Sequence, residues 1–352
     1  MSQNILDDEL EIIKIDPQNM LGAVCEFPVM LLSALSSALS VKLPELSNIK
    51  GIVVAGMGGS AICGDVVKQV VDGSINVPIV VNRGYSLPKF VTSDYLCFAA
   101  SYSGNTEETL SSLKEAQQRG LKIIAITSGG KLLETAKHNS YPVFSCPAGL
   151  QPRAALPYFV APILYSIEKL GLSRGLILQI EEAAHLLGKL QKEYSKPLKE
   201  NHVKQLAQRL NGRTPVILAS EDNTKAAAMR WIAQLAENGK TFAHMALFPE
   251  MDHNEIVSLG AQKKGEHNLY LIILRDEADS ERIKKRIEIT KSFIGPPIGG
   301  ATDITSIGSN RLTRILSLIL FGDFLSVYIA IQKGVDPGKV EIIERLKREL
   351  SR

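Results

Sequence analysis

Five short aliphatic runs, GIVVAG (51–56), VPIVVN (77–82), YLCFAA (95–100), LKIIAIT (121–127) and YPVFSC (141–146), most constrain what this chain can fold into. None alternates apolar with polar residues, so none can turn one face to water. Each reads as a strand covered on both sides, the condition of a parallel sheet. Helix-like segments such as 107–119 separate them, and an amphipathic stretch at 24–38 precedes them. This alternation predicts a doubly wound α/β domain over roughly residues 40–150.

The second half repeats the logic without visible sequence identity to the first. A charged helical region at 181–211, broken at Pro197, leads into a strand at 214–220, a helix at 224–237, a strand at 268–274 and a helix at 280–291. The stretch IGPPIGGATD (294–303) reads as loop, and 311–333 as a long apolar helix. The fold class expected is α/β: two doubly wound domains with mainly parallel sheets flanked by helices, divided as 1–165 and 166–352. Residues 312–331 match a membrane span in length, but Arg314 and Asp323 lie inside it, and charges at bilayer depth are costly. A buried helix and no membrane partner are the expectation.

Charge narrows the partners. Against 37 acidic residues stand 40 Lys and Arg in a chain of 352, a formal net charge of +3, so no strong field is available to recruit nucleic acid. The four cysteines, Cys25, Cys63, Cys97 and Cys146, are widely spaced, with neither a disulfide framework nor zinc spacing. Together with an acidic N-terminus unlike a signal peptide, they point to the cytoplasm.

Two strand-to-helix junctions carry the chemistry. The first, Gly56-Met57-Gly58-Gly59-Ser60-Ala61, satisfies the dinucleotide pattern G-x-G-x-x-A, but the second strand ends in Asn82 and Arg83, without the acid a ribose needs. An NADP-dependent reductase using Gly56, Gly58, Ala61 and Arg83 stays possible on these residues alone. So do glycines that serve only a tight turn. The second junction, Ser101-Tyr102-Ser103-Gly104-Asn105-Thr106, puts three hydroxyls and several free amides at one helix start, an arrangement suited to a phosphate monoester. An ordinary cap accounts for Thr106 and the acids after it, but not for Ser101 and Ser103.

GMGGSAICGD followed by SYSGNTEETL resembles the sugar isomerase (SIS) domain, whose Gly-Gly-Ser and Ser-x-Ser-x-x-Thr loops hold a phosphosugar. Further motifs follow in order: Gly149-Leu150-Gln151-Pro152-Arg153-Ala154-Ala155-Leu156, Ala236-Glu237-Asn238-Gly239-Lys240, Asp252-His253-Asn254-Glu255-Ile256, and Val335-Asp336-Pro337 leading to Leu346-Lys347. Together they resemble the bifunctional phosphoglucose/phosphomannose isomerases over nearly the whole chain. The resemblance implies two SIS-type domains and a ligand at the carboxyl ends of the first domain's strands, in a crevice facing the second. It also implies a small-molecule phosphosugar substrate, no metal or nucleotide cofactor, and a homodimer with a shared active site.

Moving a proton between C1 and C2 of a sugar phosphate needs a base, a cation for the enediolate, a ring-opening group and a phosphate anchor. Glu237, ending a helical run where the chain turns, matches the family's catalytic base. His253 lies in a polar loop beside Asp252, a carboxylate placed to fix its tautomer. It matches the histidine that opens the ring from the neighbouring subunit. Arg153 matches the arginine that stabilises the enediolate and contacts substrate. Lys347 matches a lysine on a final helix that must fold back over the site. Gly58, Gly59, Ser60, Ser101, Ser103 and Thr106 match the substrate-binding loops. Asp252 stands where the family more often has Asn, and Cys63 where a cysteine is uncommon. His138, His185, His202, His244 and His267 read as structural or solvated. A non-catalytic sugar-phosphate sensor would keep the phosphate loops without needing Glu237, His253 and Arg153 together.

Overall fold

The computed structural model describes residues 4–46, 48–262, 268–294 and 300–350. The chain divides into two compact units: Glu26–Gly188 with Gly308–Ile315, and Met1–Cys25 with Lys189–Ile307 and Leu316–Arg352.

In the unit built on residues 26–188, five strands form one parallel sheet: β1 (Gly51–Ala55), β2 (Ile79–Asn82), β3 (Tyr95–Ala100), β4 (Lys122–Thr127) and β5 (Val143–Ser145). All five were legible as apolar runs. Every residue of β1 and β3 is buried, as strands covered on both faces must be. Val53, Cys97, Ala99 and Ala125 pack there against Leu113, Leu132 and Ala136 of the helices Glu107–Gln118 and Gly130–His138. The order is β2-β1-β3-β4-β5. The chain leaves β1 on one side and β3 on the other, so their carboxyl ends open a crevice at the switch in direction.

The other unit holds a parallel sheet of β6 (Thr214–Ser220), β7 (His244–Phe248), β8 (Leu269–Arg275) and β9 (Ala301–Thr305), ordered β7-β6-β8-β9. The sequence pattern marks β6 and β8 but not β7 and β9. These are the two edges, and β9 has no fully buried residue, so neither needs the continuous apolar run of a central strand. The stretch 294–303, expected as loop, instead ends a helix at Ile294 and begins β9 at Ala301, while 295–299 lie outside the described residues.

Helix Arg311–Lys333 is long and apolar enough to cross a membrane, with a mean hydropathy of 1.9 over its most apolar window, and 94% of that window is buried inside the protein. Its internal charge is matched. Asp323 receives two hydrogen bonds from Arg230, at 3.0 and 2.9 Å, with both side chains almost fully buried. Beside this pair the Trp231 indole donates to the Leu318 carbonyl at 2.7 Å, tying helix Lys225–Glu237 to it.

Candidate active site

The crevice between β1 and β3 is where the two expected phosphate loops meet. The helix after β1, Gly58–Val71, and the helix after β3, Glu107–Gln118, both begin there, and neither start is capped by a side chain. Thr106 precedes the second helix but does not cap it. Its hydroxyl pairs instead with Ser101 Oγ at 2.9 Å, and Ser101 Oγ also accepts from the Gly104 amide at 3.1 Å. The cap explanation for Thr106 therefore fails, and the first amides of the helix are left for a ligand. Dipole and free donors together favour an anion at such a helix start.

The loops are joined by backbone as well. Tyr102 N–H donates to Ser60 Oγ at 3.3 Å, so the Gly-Gly-Ser turn and the Ser-x-Ser turn share a hydrogen bond. Ser60 and Ser101 are buried and Ser103 is exposed, giving a graded wall of hydroxyls. Gly104 lies at φ +68°, and a Cβ there would come within 1.8 Å of the Gly129 carbonyl oxygen. Only glycine fits a turn so close to another backbone.

Arg153 sits in a 3-10 turn, Pro152–Ala155, directly against the first loop. A Cβ on Gly59 would lie 3.0 Å from Arg153 Cα, and the Arg153 guanidinium donates to Gln151 Oε1 at 3.3 Å. Its side chain is 3% exposed, a burial that arginine tolerates only with partners or a counter-charge. The cofactor alternative loses support: Arg83 pairs with Asp65, and Asn82 donates to Ser112 Oγ at 2.9 Å.

The matching switch point in the other sheet, between β6 and β8, is already filled. Asp279 accepts from Ser220 Oγ at 2.7 Å, from Asn223 Nδ2 at 2.8 Å and from the Asp276 amide at 3.2 Å. A carboxylate of the chain is held at that junction, whereas the two helix starts at the β1–β3 crevice carry no side-chain cap.

Glu237 is the last residue of helix Lys225–Glu237 and half-buried. The end of that helix is clamped. Lys240 folds back to donate to the Glu237 carbonyl at 2.5 Å, the fully buried Asn238 donates to Ser326 Oγ at 2.9 Å, and Lys333 donates to the Gly239 carbonyl at 3.1 Å. Cations at a helix carboxyl end offset its dipole. The motif 236–240 was read for its glutamate, whereas Asn238 and Lys240 set where that glutamate stands. A basic residue just past a helix end was the available signal.

His253 closes a 3-10 turn, Glu250–His253, and is exposed, with no hydrogen bond or ion pair among the described residues. The expected help from Asp252 is absent. That carboxylate is held by Arg286 at 2.8 Å and Thr290 Oγ1 at 3.0 Å, and Glu255 is taken by His244 at 2.9 Å. Lys347 lies on helix Glu341–Leu350, which carries no buried residue. His138 and His185 are exposed, His202 stacks on Phe321, and His267 lies outside the described residues.

Comparison with known proteins first defines the class. Residues 45–141 match the SIS domain model, and residues 199–350 match the model of the bacterial phospho-glucose isomerase C-terminal SIS domain. A bifunctional phosphoglucose/phosphomannose isomerase of Caldicellulosiruptor bescii is 41% identical over 87% of this chain and 91% of its own length. Its counterpart in Aquifex aeolicus is 38% identical over 88% and 92%. A glucose-6-phosphate isomerase like protein from Thermus thermophilus shares the fold, with a TM-score of 0.61 at 17% identity over 99% of both chains. The chain belongs to the bifunctional phosphoglucose/phosphomannose isomerase family.

Proposed function

We propose that this enzyme, an aldose–ketose isomerase, interconverts glucose 6-phosphate with fructose 6-phosphate and mannose 6-phosphate with fructose 6-phosphate. The observation that carries the reading is the pair of uncapped helix starts at the β1–β3 switch, lined by Ser60, Ser101, Ser103 and Thr106. A dianionic phosphate fits donors of this kind, and Gly58 and Gly59 let it approach the backbone.

The remaining roles are proposed from the motif resemblance, which the family membership supports. Glu237 removes the proton from C2 of the open-chain aldose and returns it to C1, while a proton passes between the two oxygens. Arg153 offsets the negative charge that develops on the enediolate, where a fixed cation contributes most. His253, exposed and without a partner among the described residues, opens the sugar ring across the interface of a homodimer. Lys347 contributes from the last helix, whose exposed Ile342, Leu346 and Leu350 form an apolar stripe suited to that interface. Four free thiols suit a cytoplasmic setting.

The test is a coupled assay started from fructose 6-phosphate, reading glucose 6-phosphate and mannose 6-phosphate separately, with EDTA present. Both aldoses should form. Binding of phosphosugar without turnover would instead favour a sensor.

A further inference from the structure

We propose that the Tyr102 hydroxyl is a positioning group that sets Arg153 against the phosphate loops, a role that rests on the isomerase reading. Tyr102 lies between Ser101 and Ser103 but faces inward, with 8% of its surface exposed. Its hydroxyl donates to the Pro147 carbonyl at 2.6 Å and accepts from the Leu150 amide at 2.8 Å. One phenol therefore holds both ends of the turn 147–150, and Arg153 follows three residues later. Burial pushes the phenol above its ordinary range, so it remains protonated and able to donate at neutral pH.

The backbone of Tyr102 is fixed independently of its ring. Its amide donates to Ser60 Oγ, and its carbonyl accepts from the Ser128 amide at 3.0 Å and from Ser128 Oγ at 2.6 Å. The strut thus stands on a rigid base within the phosphate site and reaches out to the loop that carries the cation. Gly149, at the apex of that loop, has φ +90° and open space around it. One hydroxyl thus ties both ends of this turn, Pro147 and Leu150, to the residue between Ser101 and Ser103. Arg153 has to meet a charge that exists only as the proton moves, so a displacement should slow turnover more than it weakens phosphate binding.

The decisive variant is Tyr102→Phe, which keeps the ring and removes both hydrogen bonds. We expect kcat for fructose 6-phosphate to fall roughly 10- to 100-fold. KM and the inhibition constant of inorganic phosphate should move less than about threefold, because those depend on loops the variant leaves intact. In an Arg153→Ala background the same substitution should change kcat by less than about twofold, since a group acting only through Arg153 has nothing left to position. Gly149→Ala, at an exposed site, strains the same turn and should reproduce the kcat-selective loss should Tyr102→Phe fold poorly. An unchanged kcat, a full loss on top of Arg153→Ala, or an equal weakening of phosphate inhibition would overturn the proposal while leaving the isomerase reading standing. A wild-type protein without turnover would overturn both.

Discussion

Gly59 and Arg153 touch through their backbones: a Cβ added at Gly59 would stand 3.0 Å from Arg153 Cα and 3.1 Å from the Pro152 carbonyl oxygen. The phosphate loop and the arginine turn are thereby packed as one surface, with no side chain between them able to yield. Gly59→Ala should therefore push the two apart. Overpacking of this kind costs about 1–3 kcal/mol, and kcat/KM should drop at least roughly 10-fold in steady-state assays of the isomerase. Wild-type kinetics in this variant would show that the loop accommodates a methyl group and that the contact does not position Arg153.

Glu237→Gln removes a proton acceptor while keeping the shape of the helix end. The Asn238–Ser326 bond and those of Lys240 and Lys333 to backbone carbonyls do not use the Glu237 carboxylate, so these three survive the change. We expect kcat to fall by about 10²–10⁴, with the thermal midpoint and inhibition by inorganic phosphate unchanged. Retained turnover would move the base to another residue.

The buried Arg230–Asp323 pair should respond asymmetrically to mutation. Arg230→Met alone strands a carboxylate in the core and should cost about 3–5 kcal/mol, whereas Arg230→Met with Asp323→Leu removes the charge altogether and should cost less. Urea denaturation of the single and double variants measures the difference. A double variant no more stable than the single would mean that Asp323 carries no penalty when it is left without Arg230.

Burial pushes the thiols of Cys97 and Cys146 up to about 12 from 9.0, and raises Cys63 as well. With folded-state values above unfolded ones, the unfolded chain releases protons that the native chain retains as pH climbs from about 9 towards 12. Stability that is fully present below the ordinary thiol range is then lost on the alkaline side, by about 1.4 kcal/mol per pH unit for each thiol. Cys97→Ala should flatten the fall by one thiol's share, read from urea unfolding between about pH 8 and pH 10.5. Native alkylation at neutral pH should leave all three buried thiols unmodified.

Local pattern was enough for the class of fold and for picking out the two Gly/Ser/Thr-rich junctions proposed to hold phosphate. Central parallel strands must be apolar on both faces, so β1, β3, β4, β6 and β8 announce themselves in composition. A cluster of Gly, Ser and Thr at a strand-to-helix junction is likewise local information, complete within a few residues. The motif matches extended this to the candidate residues Arg153, Glu237, His253 and Lys347.

What depends on distance across the chain came from folding alone. The edge strand β9 has no continuous apolar run and β7 only the four residues 245–248, and their place in the sheet comes from pairing with β8 and β6. Asp252 turns from His253 to Arg286, 34 residues on. Tyr102 finds its partners 45 and 48 residues away, and Arg230 finds Asp323 at a separation of 93. Such contacts exchange hydration for a partner that only the folded chain brings near, so no local pattern records which partner it will be.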